Sequence, residues 1–393
     1  MKNIMIVVGT RPGAIKLIPI YFALKNKGIP TFLCATFQHD ELLQQVFDIF
    51  GVTPDASLKI MRQGQDLFYL TQAILEKISE VYRTVNPELV MVLGDTVTAY
   101  ASALAAFYLK KPIAHIEAGL RTGNKHAPFP EEVFRQGIST MADYHFAPTS
   151  LNVANLLAEG ISRTSIFCTG NSIVDALQWI QEKITSGSVA IDKTIQSKVL
   201  SCKKNNQKIV LLTAHRRESF DGGILRICNA VKTFALEHPD VVFIYPAHPN
   251  PSVQSAIENS GIKHISNIFV TTPLIYKDLI YLILMSDFVM TDSGGIQEEA
   301  ISIGKKVLVL REVTERVEGI WEGLGVLVGT DQQKILSEMD LLYNSTTATM
   351  QPKNVYGDGN TGNRIATIVH SLLQDTFISA NKTLLNKKIE CSF

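Results

Sequence analysis

Short apolar runs alternate with segments of helical periodicity along this chain, and the alternation occurs twice. Runs rich in Val, Ile and Leu that alternate with amphipathic helices predict parallel sheets covered on both faces. The first series comprises strands at 3–8, 31–36, 88–93, 112–116 and 165–168, with helices at 13–27, 39–50, 68–86, 96–109 and 131–142. The second comprises strands at 208–213, 241–246, 267–270, 287–291 and 306–310, with helices near 219–238, 251–260, 273–285 and 294–303. We therefore predict an α/β chain of two Rossmann-like, doubly wound domains joined near 170–205.

Length and charge balance limit the classes of function. With 393 residues the chain is longer than one hydrophobic core comfortably serves, which agrees with two domains. Lys and Arg together number 37, as do Asp and Glu, so the formal net charge is zero. Nucleic-acid-binding proteins usually carry a basic excess, and we therefore predict no nucleic-acid partner. An anionic ligand would have to be bound by a local group of cations.

The apolar runs favour neither an export signal nor a membrane span. The first run, 4–8, is too short for the core of a signal peptide. The most apolar later stretch, 279–285, ends at Ser286 and Asp287, well short of the roughly 20 residues that cross a bilayer. We predict a cytoplasmic protein with no membrane partner. The cysteines lack CxxC spacing, so no zinc site is predicted.

Doubly wound sheets bind ligands at the carboxyl ends of their strands, and in a two-domain protein the cleft between the domains is the expected site. The stretch TDSGGIQEEA, 291–300, has Ser293, Gly294 and Gly295 between a predicted strand and a helix. The glycines would let a ligand approach the backbone, and free N–H groups at a helix start favour an anion. The alternative is a plain helix cap made by Asp292 or Ser293.

The stretch VVGTRPGAIK, 7–16, also joins an apolar strand to a helix. Pro12 suits the first helical position. Arg11 would project into the cleft, whereas Lys16 either joins it there or is an ordinary surface lysine. The chain has neither G-x-G-x-x-G after its first strand nor G-x-x-x-x-G-K-[ST] anywhere, so we predict no dinucleotide cofactor and no P-loop hydrolysis.

Carboxylates follow two neighbouring strands and one helix start. Asp95 follows LVMVLG, Glu117 follows IAHI, and PEEVFR contributes Glu131, Glu132 and Arg135. Converging carboxylates raise one another's pKa, which suits general acid–base chemistry. The alternative for Asp95 is a helix cap. For the two glutamates it is complementarity to the helix dipole, and we expect at least one of them to do only that.

Histidines and arginines follow strands of the second series. His215 lies beside Arg216 in TAHRRESF, His248 lies in YPAHPNP, and Arg316 lies in TERVEG. Because HExxH and comparable sets of metal ligands are absent from the sequence, we interpret these residues as anion-binding and acid–base groups and predict no metal.

These groups together predict a nucleoside-diphosphate sugar as the ligand. Cations and helix starts fit a diphosphate, and converging carboxylates fit proton transfers on a sugar. The spacing alone does not decide whether the sugar is transferred or rearranged.

With these residues in hand, the chain resembles the non-hydrolysing UDP-N-acetylglucosamine 2-epimerases. The stretches that carry the resemblance are GTRP-AIK, QH, GDT, HIEAGLRTG, FPEE, HRRES, YPAHPNP, TDSGGIQEEA and TER, in the family's order. The resemblance implies the fold of B-type glycosyltransferases, two Rossmann-like domains facing a cleft. It implies an amino-terminal domain at 1–172, a UDP-binding domain at 173–361, and a carboxyl-terminal helix at 362–393 that packs on the first domain. It further implies a homodimer without metal or nicotinamide.

The family's reaction interconverts UDP-GlcNAc and UDP-ManNAc by anti elimination of UDP to 2-acetamidoglucal, followed by re-addition with inversion at C2. By resemblance, Ser293, Gly294 and Gly295 bind the diphosphate and Glu299 holds the ribose. The residues with implied catalytic roles are Asp95, Glu117, Glu131 and His215. The implied substrate-binding residues are Arg11, Lys16, Gln38, Arg135, Arg216, His248, Ser293, Gly294, Gly295, Glu299 and Arg316.

Four positions depart from the family's usual residues. Gly13 replaces Glu, Phe134 replaces Asn, Val317 replaces Pro, and Phe37 replaces Gly. By resemblance, Gln38 borders the region where some members bind a second, activating UDP-GlcNAc, so a bulky neighbour there argues against such activation.

These departures leave alternatives to the family's reaction. A related UDP-2-acetamido sugar is one alternative substrate. A catalytically weakened UDP-sugar-binding protein is a second interpretation, and a glycosyltransferase on the same fold is a third.

Overall fold

The structure is a computed structural model that describes residues 4–37, 40–62, 64–345 and 354–375. These residues divide into two compact units. The first unit contains the described residues up to Gln178 and those from Tyr356 onward, and the second contains those from Trp179 to Val355. The chain therefore leaves the first unit, builds the second, and returns.

Strands and helices alternate through both units. In chain order they are β1 (Ile4–Val8), α1 (Arg11–Asn26), β2 (Thr31–Ala35), α2 (Asp40–Phe50), β3 (Ala56–Ser57), α3 (Leu67–Val85), β4 (Leu89–Leu93), α4 (Val97–Tyr108), β5 (Ile113–Ile116), α5 (Glu131–Met141), β6 (Tyr144–Ala147), α6 (Ser150–Ala158), β7 (Ile166–Cys168), α7 (Ile173–Thr185), α8 (Lys193–Lys204), β8 (Lys208–Thr213), α9 (Gly223–Glu237), β9 (Val241–Pro246), α10 (Pro251–Ser260), β10 (Ile268–Thr271), α11 (Tyr276–Met285), β11 (Phe288–Thr291), α12 (Gly294–Ser302), β12 (Lys306–Val309), α13 (Val317–Trp321), β13 (Gly325–Leu327), α14 (Gln332–Asn344) and α15 (Thr361–Asp375).

Each unit has one parallel sheet. The first has seven strands in the order β3-β2-β1-β4-β5-β6-β7, and the second has six in the order β10-β9-β8-β11-β12-β13. In both, the strand order reverses beside the first strand of the unit, which is the doubly wound arrangement. The predicted fold class is confirmed.

The sheets are buried because their strands are apolar along their whole length. All five residues of β1 are buried, as are all five of β4. In α4, a run of small residues lets the helix lie close to the sheet, and Ala101, Ala103 and Ala106 are fully buried there. In the second unit, Phe234 of α9 and Phe243 of β9 belong to one core cluster. Burial of one such aromatic side chain contributes roughly 2–3 kcal/mol.

Three strands and five helices have no counterpart among the predicted elements. The missing strands are short: β3 has two residues, β13 has three and begins with glycine, and β6 includes the polar His145. Their signal is too weak for a pattern of apolar runs. The predicted junction at 170–205 contains two of the unpredicted helices, α7 and α8.

Close packing at the end of β1 requires a glycine. A Cβ on Gly9 would lie 2.8 Å from Oγ1 of Thr36 and would overlap the side chain of Thr98. These two threonines approach each other at 3.1 Å between their hydroxyl oxygens. The start of α1 is therefore held against α4, beside the carboxyl end of β4.

Within the described ranges, none of the helices is long and apolar enough to cross a membrane.

His115 is a buried histidine on β5 of the seven-stranded sheet. It is fully buried on β5, and its Nε2 lies 2.8 Å from the carbonyl oxygen of Gly94. Burial lowers the pKa of His115 to about 3, although the Gly94 carbonyl acts in the opposite direction. The folded protein therefore keeps this imidazole neutral at pH values where the unfolded chain binds a proton.

We predict that the free energy of unfolding falls as the pH drops from about 6.5 toward 3, by up to about 1.4 kcal/mol per pH unit for this group. Above pH 6.5 the free energy of unfolding no longer depends on the protonation of His115, because the imidazole is neutral in the folded and the unfolded state. His115→Gln should therefore show a smaller fall in Tm between pH 7 and pH 5 than the wild type, measured by scanning calorimetry. His264→Gln, at an exposed histidine, is the control. Parallel pH dependence for His115→Gln and wild type would contradict this prediction.

Candidate functional site

The start of α1 holds the first group of candidate residues in the first unit. Thr10 caps the helix by accepting a hydrogen bond from the Gly13 N–H at 3.4 Å, and Pro12 lies in the first turn. The first turn contains no acidic residue. Arg11 is partly buried here, and a Cβ on Gly13 would lie 3.3 Å from the Thr10 hydroxyl. A side chain at position 13 therefore needs only a shift of a few tenths of an ångström.

Lys16 is not a surface lysine. It is 4% exposed, and its Nζ pairs with Oε1 of Glu117, directly after β5. The same carboxylate oxygen accepts a hydrogen bond from Nδ2 of Asn171 at 3.0 Å. Glu117 has φ of +62°, a left-handed conformation that is uncommon for a residue with a side chain. Three elements thus fix one carboxylate.

Asp95, one residue beyond Gly94 at the end of β4, faces Arg135 of α5. Nε and Nη2 of Arg135 lie 2.7 and 2.5 Å from Oδ2 of Asp95. The alternative that Asp95 caps α4 is wrong, because the cap is Thr96, whose side chain accepts from the Ala99 N–H at 3.2 Å. Asp95 keeps 24% of its side chain exposed, so it is held without being enclosed.

The two glutamates of α5 differ. Glu132 is fully buried and accepts hydrogen bonds from the N–H groups of Thr122 and Gly123, and Arg135 donates to it at 3.2 Å. Glu132 therefore anchors a loop and orients Arg135. Glu131 is only partly buried in the first turn of the same helix.

In the second unit, Asp292 directly follows β11 and bonds the residues that follow β8. It is fully buried, and its Oδ2 accepts hydrogen bonds from the N–H groups of His215 and Arg216 at 2.5 and 2.7 Å. Its Oδ1 lies 3.2 Å from Nδ1 of His215. Burial alone would raise the pKa of Asp292, but His215 and these N–H groups outweigh burial and hold that pKa below its usual value.

His215 and His248 form a parallel pair at neighbouring strand ends. Their ring centroids lie 5.6 Å apart with an interplanar angle of 13°. Nδ1 of His248 accepts from the Asn250 N–H at 3.1 Å, whereas Nδ1 of His215 faces Asp292. Both rings therefore use Nδ1 to hold their orientation, and His215 keeps 38% of its side chain exposed.

At the start of α12, no side chain of the described residues caps the backbone N–H groups of the helix. Ser293 is the capping residue but makes no side-chain cap bond, and Asp292 is engaged with β8 instead. The alternative of a plain cap is therefore wrong. Arg316 lies against Gly294, so that a Cβ there would overlap the guanidinium, whereas a Cβ on Gly295 would meet no atom within 4 Å.

A buried ionic network lies behind this helix start. Nε of Arg316 lies 2.8 Å from Oε1 of Glu298, and its Nη1 pairs with Glu315. Arg311, which follows β12, bridges Glu315 at 3.1 Å and Glu218 at 2.7 Å. Removing one member would leave a buried charge without its partner, which typically costs about 3–5 kcal/mol.

Other predicted residues have less defined surroundings. Gln38 lies outside the described residues. Glu299 is buried on α12, and Nε of Arg216 is buried without a hydrogen bond in the described part of the chain.

Phe37 has φ of +52° and is buried against Phe47, and Phe134 stacks on Tyr100 with centroids 4.8 Å apart. Val317 begins α13. Both phenylalanines thus pack within the first unit.

Several residues of this geometry were not among the predicted site residues. They include Asn171, Asp292, Glu298 and Arg311. Three of these four, all except Glu298, lie within three residues after the end of a strand, and that position is the signal that marks them in the sequence. No cluster of three His, Cys, Asp or Glu side chains that could hold a metal ion occurs within the described ranges.

Comparison with known proteins gives a consistent result. Residues 23–370 match the sequence profile of the family described as UDP-N-acetylglucosamine 2-epimerase. The chain is similar to a Campylobacter jejuni protein named UDP-N-acetylglucosamine 2-epimerase, with 44% identity over 94% of this chain and 97% of that one.

Solved structures agree with the sequence matches. A Neisseria meningitidis UDP-GlcNAc 2-epimerase bound to UDP-GlcNAc superposes with a TM-score of 0.87 at 38% identity, covering 95% of this chain and 100% of the other. The S. aureus MnaA–UDP co-structure gives a TM-score of 0.87 at 37% identity, covering 95% and 97%.

The two adjacent glycines of α12 make a matched pair. We predict that Gly294→Ala lowers Tm, because its methyl group would displace Arg316 from Glu298, at a cost of about 2–4 kcal/mol. Gly295→Ala has open space and should leave Tm unchanged or raise it slightly through helix propensity. Thermal unfolding followed by circular dichroism measures both. Equal shifts for the two variants would show that the contact with Arg316 does not constrain this position.

Proposed function

Because this chain belongs to the UDP-N-acetylglucosamine 2-epimerase family, we propose that it interconverts UDP-GlcNAc and UDP-ManNAc by eliminating UDP and adding it back. The observation that carries the proposal is the pair of carboxylates at the ends of neighbouring strands. Asp95 and Glu117 follow β4 and β5, and each is held by a buried cation. Inversion at C2 needs proton transfer on both faces of the ring, which two independently held carboxylates can supply.

The first half of the reaction removes a proton from C2. A carboxylate takes the proton, the electron pair of the C2–H bond forms the C1=C2 bond, and the C1–O bond breaks with its electrons leaving on UDP. The product is 2-acetamidoglucal. Because a C2 hydrogen without an adjacent carbonyl is only weakly acidic, stabilisation of the departing diphosphate must lower the barrier.

The second half reverses these steps with the opposite stereochemistry. A diphosphate oxygen of UDP bonds to C1, and the C1=C2 electron pair takes a proton on the other face of C2. The carboxylate that accepted the first proton and the acid that gave the second then return to their starting states by proton exchange. Both UDP and 2-acetamidoglucal must remain bound between the halves, otherwise the two are released as separate products.

We assign the second unit to the diphosphate. The open start of α12 presents backbone N–H groups, and an anion is favoured at such a helix terminus. His215 and His248 present a parallel pair of imidazoles, and Asp292 fixes the orientation of the first. Arg316 is held by Glu298, so its positive charge is already balanced and it serves chiefly to orient this helix start.

Roles for the remaining predicted residues follow the resemblance. Glu131 is proposed as the third catalytic carboxylate, Arg11 as a diphosphate ligand and Glu299 as the ribose ligand. The homodimer and the division into domains at 1–172 with 362–393 and 173–361 are likewise proposals that rest on the resemblance.

The reaction is tested by incubating the protein with UDP-GlcNAc in deuterated water and following C2 by NMR. We expect deuterium at C2 and accumulation of the manno epimer. Glu117→Gln should reduce the rate of exchange by about 10²–10⁴-fold, the usual contribution of one acid–base group. Glu80→Gln, at an exposed glutamate of α3, is the matched control and should exchange like the wild type.

Other outcomes separate the alternatives. Tight UDP binding without exchange on any UDP-2-acetamido sugar would identify a binding protein. UDP release that requires a sugar acceptor would identify a transferase. Exchange only on a related UDP-sugar would keep the chemistry and change the substrate.

Gly13 gives a second prediction about the same site. Gly13→Glu adds a negative charge in the first turn of α1, beside Arg11, where it opposes diphosphate binding by about 1 kcal/mol. We expect kcat/KM for at least one UDP-sugar to change by roughly 5-fold, with Tm nearly unchanged because the Cβ fits. Gly13→Ala adds the same Cβ without the charge and should behave like the wild type. If both variants match the wild type on a panel of UDP-sugars, Gly13 does not affect function.

A further inference from the structure

Asn171 joins the proposed catalytic carboxylate to residues 356–362, which follow the second unit and which we call the return segment. It lies three residues beyond β7 and is buried. Its side chain contacts Glu117, and its backbone N–H donates to the Tyr356 carbonyl at 2.6 Å. An inference about Asn171 rests on the proposed function, because it concerns how Glu117 is held for that reaction.

The Asn171 amide is fixed at both ends. Its Oδ1 accepts a hydrogen bond from the Ile173 N–H at 3.1 Å, at the first residue of α7. Since one end of the planar amide is bound to the helix, the NH₂ group is directed at Glu117, 3.0 Å from Oε1. The side chain therefore has one orientation, and that orientation donates to the carboxylate.

Glu117 needs such support because its backbone is in an unfavourable conformation. Its φ of +62° is costly for a residue with a Cβ. The bonds from Lys16 and Asn171 both fall on Oε1. The second oxygen, Oε2, lies on the side of Gly94, where a Cβ would approach it to 3.2 Å. The two donors together determine how the carboxylate plane is turned.

Asn171 acts without adding charge. Lys16 of α1 pairs with Glu117, and His115 lies two residues before it on β5. Asp95, next to Gly94 at the end of β4, is paired with Arg135 of α5, and Asp175 of α7 accepts from backbone N–H groups at the start of α15. Lys16 supplies the neutralising charge, and His115 is kept neutral by burial, which lowers its pKa to about 3. A neutral donor at position 171 stabilises the ionised carboxylate by a hydrogen bond while leaving the charge balance as it is.

The return segment holds Asn171 from the opposite side. A Cβ on Gly357 would lie 3.3 Å from the Asn171 nitrogen, and one on Gly170 would lie 2.6 Å from Oγ1 of Thr361. Asp175 accepts hydrogen bonds from the N–H groups of Thr361 and Gly362 at 3.2 and 2.8 Å. The start of α15 is thereby fastened to α7, and residue 171 lies between them.

We propose that Asn171 is a positioning residue that holds Glu117 in its reactive orientation and that is itself held by the return segment. It touches the carboxylate, and the role requires no contact with a reacting atom of the sugar. Its loss should therefore lower kcat and leave substrate binding largely unchanged.

Two variants test the proposal by steady-state kinetics on UDP-GlcNAc. Asn171→Ala removes the donor, and we expect kcat to fall about 10–100-fold, as for loss of a hydrogen bond to a charged group, with KM changed less than about 3-fold. Asn171→Asp keeps an oxygen for the Ile173 N–H and so preserves the start of α7. At neutral pH it should be as impaired as the alanine variant, because two carboxylates then face each other.

The pH dependence of Asn171→Asp separates positioning from a structural role. Once protonated, the carboxyl group introduced by this substitution can donate to Glu117 as the amide does, and the pair would share one proton. We therefore expect the activity of the variant to recover as the pH is lowered, so that its kcat–pH profile moves to the acid side of the wild-type profile. A merely structural defect would scale the profile without moving it.

Asn267→Ala is the control for a structural defect, and the wild type and Glu117→Gln show whether the proposed function itself holds. Asn267→Ala, at a buried asparagine of the second unit whose amide donates to backbone carbonyls, should lower Tm without moving the pH profile. If the wild type shows no C2 exchange, or if Glu117→Gln exchanges normally, the proposed function or the role of Glu117 fails. If both behave as expected but the Asn171 variants keep wild-type kcat, or lose only substrate affinity, the positioning role alone is overturned.

Discussion

The buried ion pair of Lys16 with Glu117 is the interaction on which the first unit's site depends. Two charges removed from water lose hydration that their attraction only partly restores, so such a pair is weak evidence for stability. Its value here is geometric. The pair connects α1 to the end of β5, and Asn171 adds the end of β7 to the same oxygen atom. Three segments that are distant in sequence thus meet at one carboxylate, which has an unusual backbone conformation.

The second unit uses a carboxylate for a related purpose. Asp292 bonds the backbone of the β8 loop and orients the ring of His215, so the ends of β8 and β11 form one rigid group. The difference lies in the charge balance. In the first unit the carboxylates are paired with cations, whereas Asp292 is held mainly by N–H groups and an imidazole. In each unit a side chain proposed to face a ligand is supported by a buried polar residue, Asn171 for Glu117 and Asp292 for His215.

The sequence predicted the fold class and most of the long elements because parallel strands buried on both faces have a strong apolar signature. It also predicted Asp95, Glu117 and His215 as site residues, since they follow such strands. It could not assign partners. Whether Lys16 is exposed or buried depends on Glu117, about a hundred residues away, and no local pattern encodes that distance. Likewise, Ser293 and Asp292 are both residue types typical of helix caps, yet Ser293 makes no cap bond and Asp292 bonds the backbone after β8, a contact that no local pattern encodes.

The two-piece construction of the first unit has a consequence for biosynthesis. Its sheet is complete once β7 has been made, but the Tyr356 carbonyl that accepts from Asn171 and the helix α15 that follows are made only after the whole second unit. Domains usually fold in the order in which the ribosome releases them. Here the first unit is completed only after the second unit has been made, so the surroundings of Glu117 are not complete until residue 356 has been translated. A nascent or truncated chain can thus bury most of its core and still lack the contacts that arrange this carboxylate.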